Sequence, residues 1–164
     1  MTTSIETSIT FPTTTDRVFQ MLLDHEYLEM KCAGADEPHF SVDDQGTETI
    51  VTITRAYSDI PESFKKFVGE HLELTEIQRW HEATGDKFIA DVEIRVQEKP
   101  VRLSGTLTLT SINDGTKCTF LGELSVNIPI FGAMVEGLVR DQMVDIFEQE
   151  QATGLAWLRK HPSN

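Results

Sequence analysis

Apolar and polar residues alternate along most of the chain, which predicts a protein built mainly of β-strands. In the first strand Ile5, Ile9 and Phe11 share one side, and polar residues occupy the other. A period of two is typical of a strand with one buried face. The pattern resumes after Gly34 and predicts six more strands: His39–Asp43, Thr47–Tyr57, Leu72–Glu82, Lys87–Gln97, Val101–Thr110 and Cys118–Ile128.

Helical spacing interrupts this alternation at three places. Two short helices follow the first strand, with Thr14 and Asp24 as their predicted N-caps. A third short helix is predicted over Glu62–Val68, and a long one runs from Pro129 to about Lys160. The predicted apolar arc of the long helix contains Phe131, Met134, Val135, Leu138, Val139, Met143, Ile146 and Phe147.

This order predicts an α+β helix-grip fold, in which a curved antiparallel sheet of seven strands wraps around the long C-terminal helix. Seven strands at about 4.8 Å spacing span about 30 Å, whereas a helix with its side chains is about 10–12 Å across. One helix cannot cover a flat sheet of that width, so we expect the sheet to curl. Space that the helix does not fill would become an apolar cavity.

Three positions on the predicted inner face are smaller than the strand pattern leads one to expect: Ala90, Gly105 and Gly122. They could leave room for a ligand. Alternatively, glycine within a strand permits the sharp bend that a curled sheet needs. We favour the bend as the primary cause, although a bend also creates a concavity.

Composition and charge narrow the classes of function. The 164 residues predict one domain, residues 1–164, with 39% apolar residues and a net charge of −13. That charge disfavours nucleic acid and anionic lipid as partners, and no apolar stretch is long enough for stable membrane insertion. The polar N-terminus lacks the pattern of a secretory signal, so we expect a cytoplasmic protein with two packed thiols, Cys32 and Cys118.

Several segments resemble a known superfamily over nearly the full chain. They are the capped segments Thr14-Thr15-Asp16 and Asp24-His25-Glu26, and the start of the terminal helix at Ile128-Pro129. With the order of elements, they resemble the START-like (SRPBCC) superfamily of polyketide cyclases and birch-pollen-allergen-like proteins. The segment from Ile60 to Gly69 and the Arg79-Trp80 pair look most like an actinobacterial family known only as domain of unknown function 2505.

The resemblance implies that ligands enter between the long helix and two loops, Ser58–His71 and Gln97–Pro100. Within the first loop, Phe64 and Phe67 could close over a ligand. The alternative, which we slightly favour, is that both rings only anchor the loop, because exposed loops usually need an apolar contact with the body of the protein.

Four polar residues share the phase of inward-facing neighbours. Arg55 and Tyr57 could hold a ligand carboxylate or carbonyl at the cavity mouth, or Arg55 could extend to water. Glu76 and Gln78 would point inward on a regular strand, and a buried Glu76 would have a raised pKa unless Arg55 paired with it. We favour instead a β-bulge that turns Glu76 and Gln78 outward and packs Ile77 inside.

Other chemistry has little support in the sequence. The histidines are scattered without metal-ligand spacing, and no nucleophile or phosphate-loop motif occurs, so we expect no metal and no cofactor. On the long helix, Gln142, Gln149 and Thr153 lie on the predicted apolar arc. We expect Gln142 to face the cavity and the other two to meet solvent.

The leading hypothesis is a protein that binds or transports a hydrophobic or amphipathic small molecule, such as a lipid, isoprenoid or polyketide-like compound. The alternatives are a cyclase or aromatase that moves protons through Glu76 or Tyr57, and an interaction module without a ligand. We do not expect catalytic residues under the leading hypothesis. The predicted ligand-binding residues are Arg55, Tyr57, Phe64, Phe67, Trp80, Phe88, Ala90, Val92, Leu103, Gly105, Leu107, Phe120, Gly122, Leu124, Met134, Leu138 and Gln142.

Overall fold

The computed structural model describes residues 2–130 and 132–162, which contain seven strands and four helices. The strands are β1 (Thr2–Phe11), β2 (Asp36–Asp44), β3 (Glu48–Tyr57), β4 (Leu72–His81), β5 (Phe88–Val96), β6 (Val101–Ile112) and β7 (Gly115–Val126). The helices are α1 (Thr15–Leu23), α2 (His25–Lys31), α3 (Glu62–Val68) and α4 (Gly132–Lys160).

All strands pair antiparallel in one sheet of order β1-β7-β6-β5-β4-β3-β2. Strands β2 to β7 form a meander, and β1 closes onto β7, with Ile5 opposite Gly122. Helices α1 and α3 lie at opposite ends of the curved sheet, because α3 precedes β4 whereas α1 packs where β4 ends. The predicted helix-grip fold is confirmed.

Side-chain caps fix the two short helices as predicted. Thr14 Oγ1 accepts a hydrogen bond from the backbone N–H of Arg17 at 3.3 Å. Asp24 Oδ2 accepts from the N–H groups of Glu26 and Tyr27 at 3.1 and 3.3 Å. The same carboxylate oxygen accepts from Trp157 Nε1 at 2.9 Å, so Asp24 also ties α2 to the last turns of α4.

The last turns of α4 determine which face of the helix is buried. Gly154 lies so close to β1 and α1 that a Cβ there would sit 2.8 Å from Phe11 Cζ and 3.0 Å from Met21 Cε. This contact and the bond of Trp157 hold α4 beside β1, and the helix also packs against β7. The concave face of β3, β4, β5 and β6 beside α4 forms a trough.

The inward face of α4 therefore differs from the predicted arc by about a sixth of a turn, at 100° per residue. Met134 and Ile146 are 50% and 43% exposed, and Gln142 is exposed as well. The predicted positions of Met134 and Gln142 in the cavity are thus wrong, because Gly154 and Trp157 set the phase. Residues at the inward positions are buried or half-buried: Val135, Glu136, Val139, Met143, Phe147, Glu150, Gly154 and Trp157. Phe131 lies outside the described residues.

Gly105 and Gly122 sit opposite each other on β6 and β7, where the strands approach closely. A Cβ on Gly105 would lie 2.6 Å from the Cα of Gly122, and a Cβ on Gly122 would lie 2.7 Å from Phe120 Cζ. The close backbone contact requires glycine and supports the bend interpretation. Ala90 is fully buried, with Trp80 and Leu107 as its cross-strand partners, so there neighbouring side chains occupy the space.

Both cysteines of the described chain, Cys32 and Cys118, are buried and free. Burial raises the pKa of the Cys118 thiol to about 12, so this sulfur stays protonated at neutral pH. The prediction of two packed thiols is confirmed.

The glycine pair generates a test of the bend. Gly105→Ala should lower the free energy of unfolding by about 1–3 kcal/mol, because the added methyl group meets backbone atoms of β7. Gly137→Ala on α4 is the control, since a Cβ there meets nothing within 4 Å. It should raise the free energy of unfolding by about 0.5–1 kcal/mol through helix propensity alone. Urea denaturation measures both, and equal effects of the two substitutions would contradict the close-approach explanation.

Candidate functional site

The trough is apolar and only half-buried at its α3 end. Leu74 on β4, Ile94 on β5 and Tyr57 on β3 face it, and all three retain partial exposure. Farther along the sheet the same face is fully buried, as at Ile53 and Trp80. Solvent therefore reaches the concave face from the α3 end but not from the α1 end.

A charged network lies on the floor of the trough, centred on Glu76, which is 4% exposed. Arg55 Nη2 donates to Glu76 Oε1 at 3.1 Å, and Lys31 Nζ donates to Glu76 Oε2 at 3.0 Å. Gln78 Nε2 donates to Oε2 at 2.6 Å, and Trp80 Nε1 donates to Gln78 Oε1 at 3.0 Å. Each oxygen of the buried carboxylate thus has a charged partner.

Helix α4 joins this network through Glu150. Its Oε1 lies 3.3 Å from Lys31 Nζ, and the Lys31 side chain is only 9% exposed. The cluster therefore links α2, β3, β4 and α4, and its two positive groups, Lys31 and Arg55, match two negative ones, Glu76 and Glu150. Within residues 2–130 and 132–162, the buried Nε of Arg55 donates to no acceptor, which leaves one N–H available in the network.

The surroundings of Glu76 keep it ionised. Burial alone would raise its pKa, but the positive charges of Lys31 and Arg55 and the hydrogen bond from Gln78 lower the pKa to about 2. Burial raises the pKa of Tyr57 despite the opposing charge of Arg55, so its phenol stays protonated at neutral pH. At pH 7 the floor therefore holds a carboxylate already engaged with donors and a neutral phenol.

The sequence prediction for Glu76 and Gln78 is wrong in its favoured form. Strand β4 runs in continuous register with β3 and β5, with Glu76 opposite Ile53 and Ile94. No β-bulge turns the side chains outward there, and Ile77 takes the outer face. The structure confirms the other alternative, in which Arg55 pairs with a buried Glu76.

The predicted ligand-binding residues fall into three groups by exposure. The exposed members are Met134 and Gln142 on α4. Half-buried are Arg55, Tyr57, Phe64, Phe67, Gly105, Leu107, Gly122 and Leu138. Buried in the core are Trp80, Phe88, Ala90, Val92, Leu103, Phe120 and Leu124.

The aromatic part of the buried group is packed against α1. Phe19 stacks on Phe88 with 4.5 Å between ring centroids and meets Trp80 edge-on at 5.3 Å. These contacts fill the α1 end of the trough. At the α3 end, Phe67 packs against the core and Lys66 Nζ lies 5.1 Å from its ring. These contacts agree with the anchoring interpretation of α3, and its closing over a ligand stays a prediction.

Sequence reasoning missed Lys31, Glu136 and Glu150. Glu136 and Glu150 occupy inward positions of α4. Both would be predicted there if the buried face of the helix were assigned from Gly154 and Trp157. Lys31 ends a short amphipathic helix and pairs with a residue 45 positions away, for which the local pattern gives no signal.

Surface concavities of about 380 and 230 Å³ lie on the convex face of the sheet, around Ser104 and Gly105. Neither lies in the trough, so the enclosed cavity predicted from the sequence stays a prediction. Among the described residues, no group of three or more histidine, cysteine or acidic side chains is placed to hold a metal. No helix among them is long and apolar enough to cross a membrane.

Comparison with known proteins identifies a family and a fold. The family described as "Protein of unknown function (DUF2505)" matches residues 6–158, and no curated protein matches the chain. Protein TTHA0849 from Thermus thermophilus has a similar solved structure, with a TM-score of 0.67, 17% identity, and coverage of 98% of this chain and 100% of that one.

Two further solved structures carry functional names. The STAR-related lipid transfer protein from Xanthomonas axonopodis has a TM-score of 0.61 at 15% identity, over 95% of this chain and 85% of that one. The di-domain aromatase/cyclase StfQ of the steffimycin biosynthetic pathway has a TM-score of 0.65 at 9% identity, over 98% of this chain and 51% of that one. At these identities the likeness shows the shared fold.

The network generates a prediction for stability and its pH dependence. Glu76→Gln should lower the free energy of unfolding at pH 7 by about 3 kcal/mol, because the ionised carboxylate is stabilised in the folded state. Since the folded-state pKa lies below the ordinary value, this contribution is complete above about pH 4.5 and declines as the pH falls towards 2. The difference between wild type and variant in urea denaturation should therefore shrink over that window.

Glu73→Gln provides the control on the same strand. Its side chain is half exposed and lies beside His71, so the substitution should change stability by less than about 0.5 kcal/mol. A deficit of Glu76→Gln that stays constant from pH 7 to pH 2 would contradict the assignment.

Proposed function

The chain belongs to the DUF2505 family of proteins of unknown function, and we propose that it binds a hydrophobic or amphipathic small molecule in the trough. The molecule would enter at the α3 end and lie along β3, β4 and β5 beside α4. A lipid, an isoprenoid or a polyketide-like compound has suitable chemistry. The free buried thiols suit a reducing compartment, which supports a cytoplasmic location.

The observation that carries this proposal is the incomplete cover of an apolar concave face. Helix α4 is held beside β1 and β7, while Leu74 and Ile94 remain partly exposed. Removing apolar surface from water contributes about 25 cal/mol per Å², so a ligand that covers about 200 Å² there would gain about 5 kcal/mol before the costs of association. The proteins of the same fold named for lipid transfer and aromatase/cyclase activity support this use of the trough.

The state of the polar groups favours binding over catalysis. A general base needs a free carboxylate oxygen near the reacting atom and a pKa close to the working pH. Glu76 has both oxygens engaged and a pKa of about 2. The phenol of Tyr57, with its raised pKa, is a poor base as well. The network suits the orientation of a polar group better than the movement of protons.

Blocking the trough tests the proposal. Ile94→Trp places an indole on the concave face of β5, and we expect it to weaken binding of the neutral probe Nile red by at least about ten-fold, because the ring occupies the ligand's space. Ile89→Trp is the matched control, since Ile89 is also half-buried but lies on the convex face of the same strand. Fluorescence titration gives the affinities, and circular dichroism checks folding.

The contrary result is equally clear. Unchanged Nile red affinity in Ile94→Trp, or an equal loss in Ile89→Trp, would place the probe outside the trough. Absence of Nile red binding to the wild-type protein would contradict the proposal outright.

A further inference from the structure

Glu136 is a buried carboxylate that the charged network does not include. It lies on the inward side of α4 and is 3% exposed. Its buried Oε1 accepts no hydrogen bond from the residues that the structure describes. A buried polar atom without a partner is destabilising by about 1–3 kcal/mol, and by more for a charged group. A ligand that supplied the missing donor would remove that penalty.

The position of Glu136 relates it to the trough. It precedes Val139 by about one helical turn and Met143 by about two, and all three share the inward side of α4. Glu150, which reaches Lys31, lies 14 residues later, about 21 Å along the helix axis. Glu136 therefore lies towards the N-terminal end of α4, well away from the positive groups on the floor of the trough.

The charge balance limits the polar group that a ligand can carry. Lys31 and Arg55 are already matched by Glu76 and Glu150, so the network has no spare positive charge for an anion. The free Nε–H of Arg55 can donate to a neutral oxygen. A ligand carboxylate would instead meet Glu136 in a protein of net charge −13.

We propose that Glu136 binds the polar end of the trough ligand, and that this end is a hydrogen-bond donor, an alcohol or an amine, rather than a carboxylate. The inference rests on the proposed function, because it names the class of molecule that the trough takes. A hydroxyl or ammonium at Glu136 would complete the hydrogen bonding of Oε1 while the hydrocarbon covers the apolar wall.

A panel of ligands with one chain length tests the class. Dodecan-1-ol, dodecylamine and dodecanoate are titrated against bound Nile red, at concentrations below the solubility limit of the alcohol and below micelle formation by the other two. We expect the alcohol and the amine to displace the probe at concentrations at least about ten-fold lower than dodecanoate, because only they donate to Glu136 at neutral pH. Dodecanoate displacing as well as the alcohol would overturn this inference alone. If neither Nile red nor any of the three binds, the proposed function falls and the inference with it.

Substitution of Glu136 tests the residue. Glu136→Leu should weaken the binding of dodecan-1-ol and of dodecylamine by at least about ten-fold. It should also raise the Tm of the ligand-free protein by at least about 2 °C, because it removes an unpartnered buried carboxylate. Glu148→Leu, at an exposed position of the same helix, should leave both affinities within about two-fold of the wild-type values. Wild-type affinities in Glu136→Leu, or a lower Tm in a leucine variant that still folds, would overturn the assignment.

Glu136→Gln decides the case if the leucine variant does not fold. The amide keeps the shape and an acceptor oxygen but loses the negative charge. We expect the ratio of amine to alcohol affinity to fall by at least about ten-fold, while dodecan-1-ol still binds. An unchanged ratio would show that the carboxylate does not touch the polar end.

Discussion

The width of one helix set against the width of the sheet determines most of this structure. In the described part of the chain the sheet has seven strands, and a helix about 10–12 Å across can lie along only part of its concave face. Helix α4 is drawn to one side by its C-terminal turns, where Gly154 fits against Phe11 and Trp157 donates to Asp24. The remainder of the concave face is closed by α1 at one end and stays half-buried at the other.

The charged network explains how an apolar trough tolerates ionised groups. Isolated, Glu76 would be costly to bury, but Arg55 and Lys31 supply charge-assisted hydrogen bonds to both of its oxygens. These partners come from β3 and α2, and Glu150 extends the cluster to α4. The network therefore fixes the spacing of helix and sheet around the trough. It also provides the proposed ligand with an environment that is polar in places yet electrically balanced.

Local patterns were sufficient to predict elements and caps but not the contacts between distant segments. Alternation predicted the strands, and the oxygens of Thr14 and Asp24 cap the helices as expected, because these features depend on neighbours in sequence. The burial of Glu76 depends on Lys31 and Arg55, 45 and 21 positions away. From the local pattern alone, an unpaired Glu76 on the inner face would be too costly to bury, so the pattern favours a bulge that turns it outward. The prediction of the buried face of α4 was wrong for a related reason. Apolar residues surround much of the helix, and the contacts that select the buried face are those of Gly154 and Trp157 in its last turns.

Methyl-detected NMR with unlabelled dodecan-1-ol would locate a ligand most directly. If the trough is the binding site, shift changes should concentrate at methyl groups of its wall, including Leu74, Ile94 and Val139, and intermolecular NOEs should reach the same groups. Ile89 and Leu121, which face the convex side, should not respond. Changes confined to the convex face, or no changes at saturating alcohol, would contradict a ligand-binding trough.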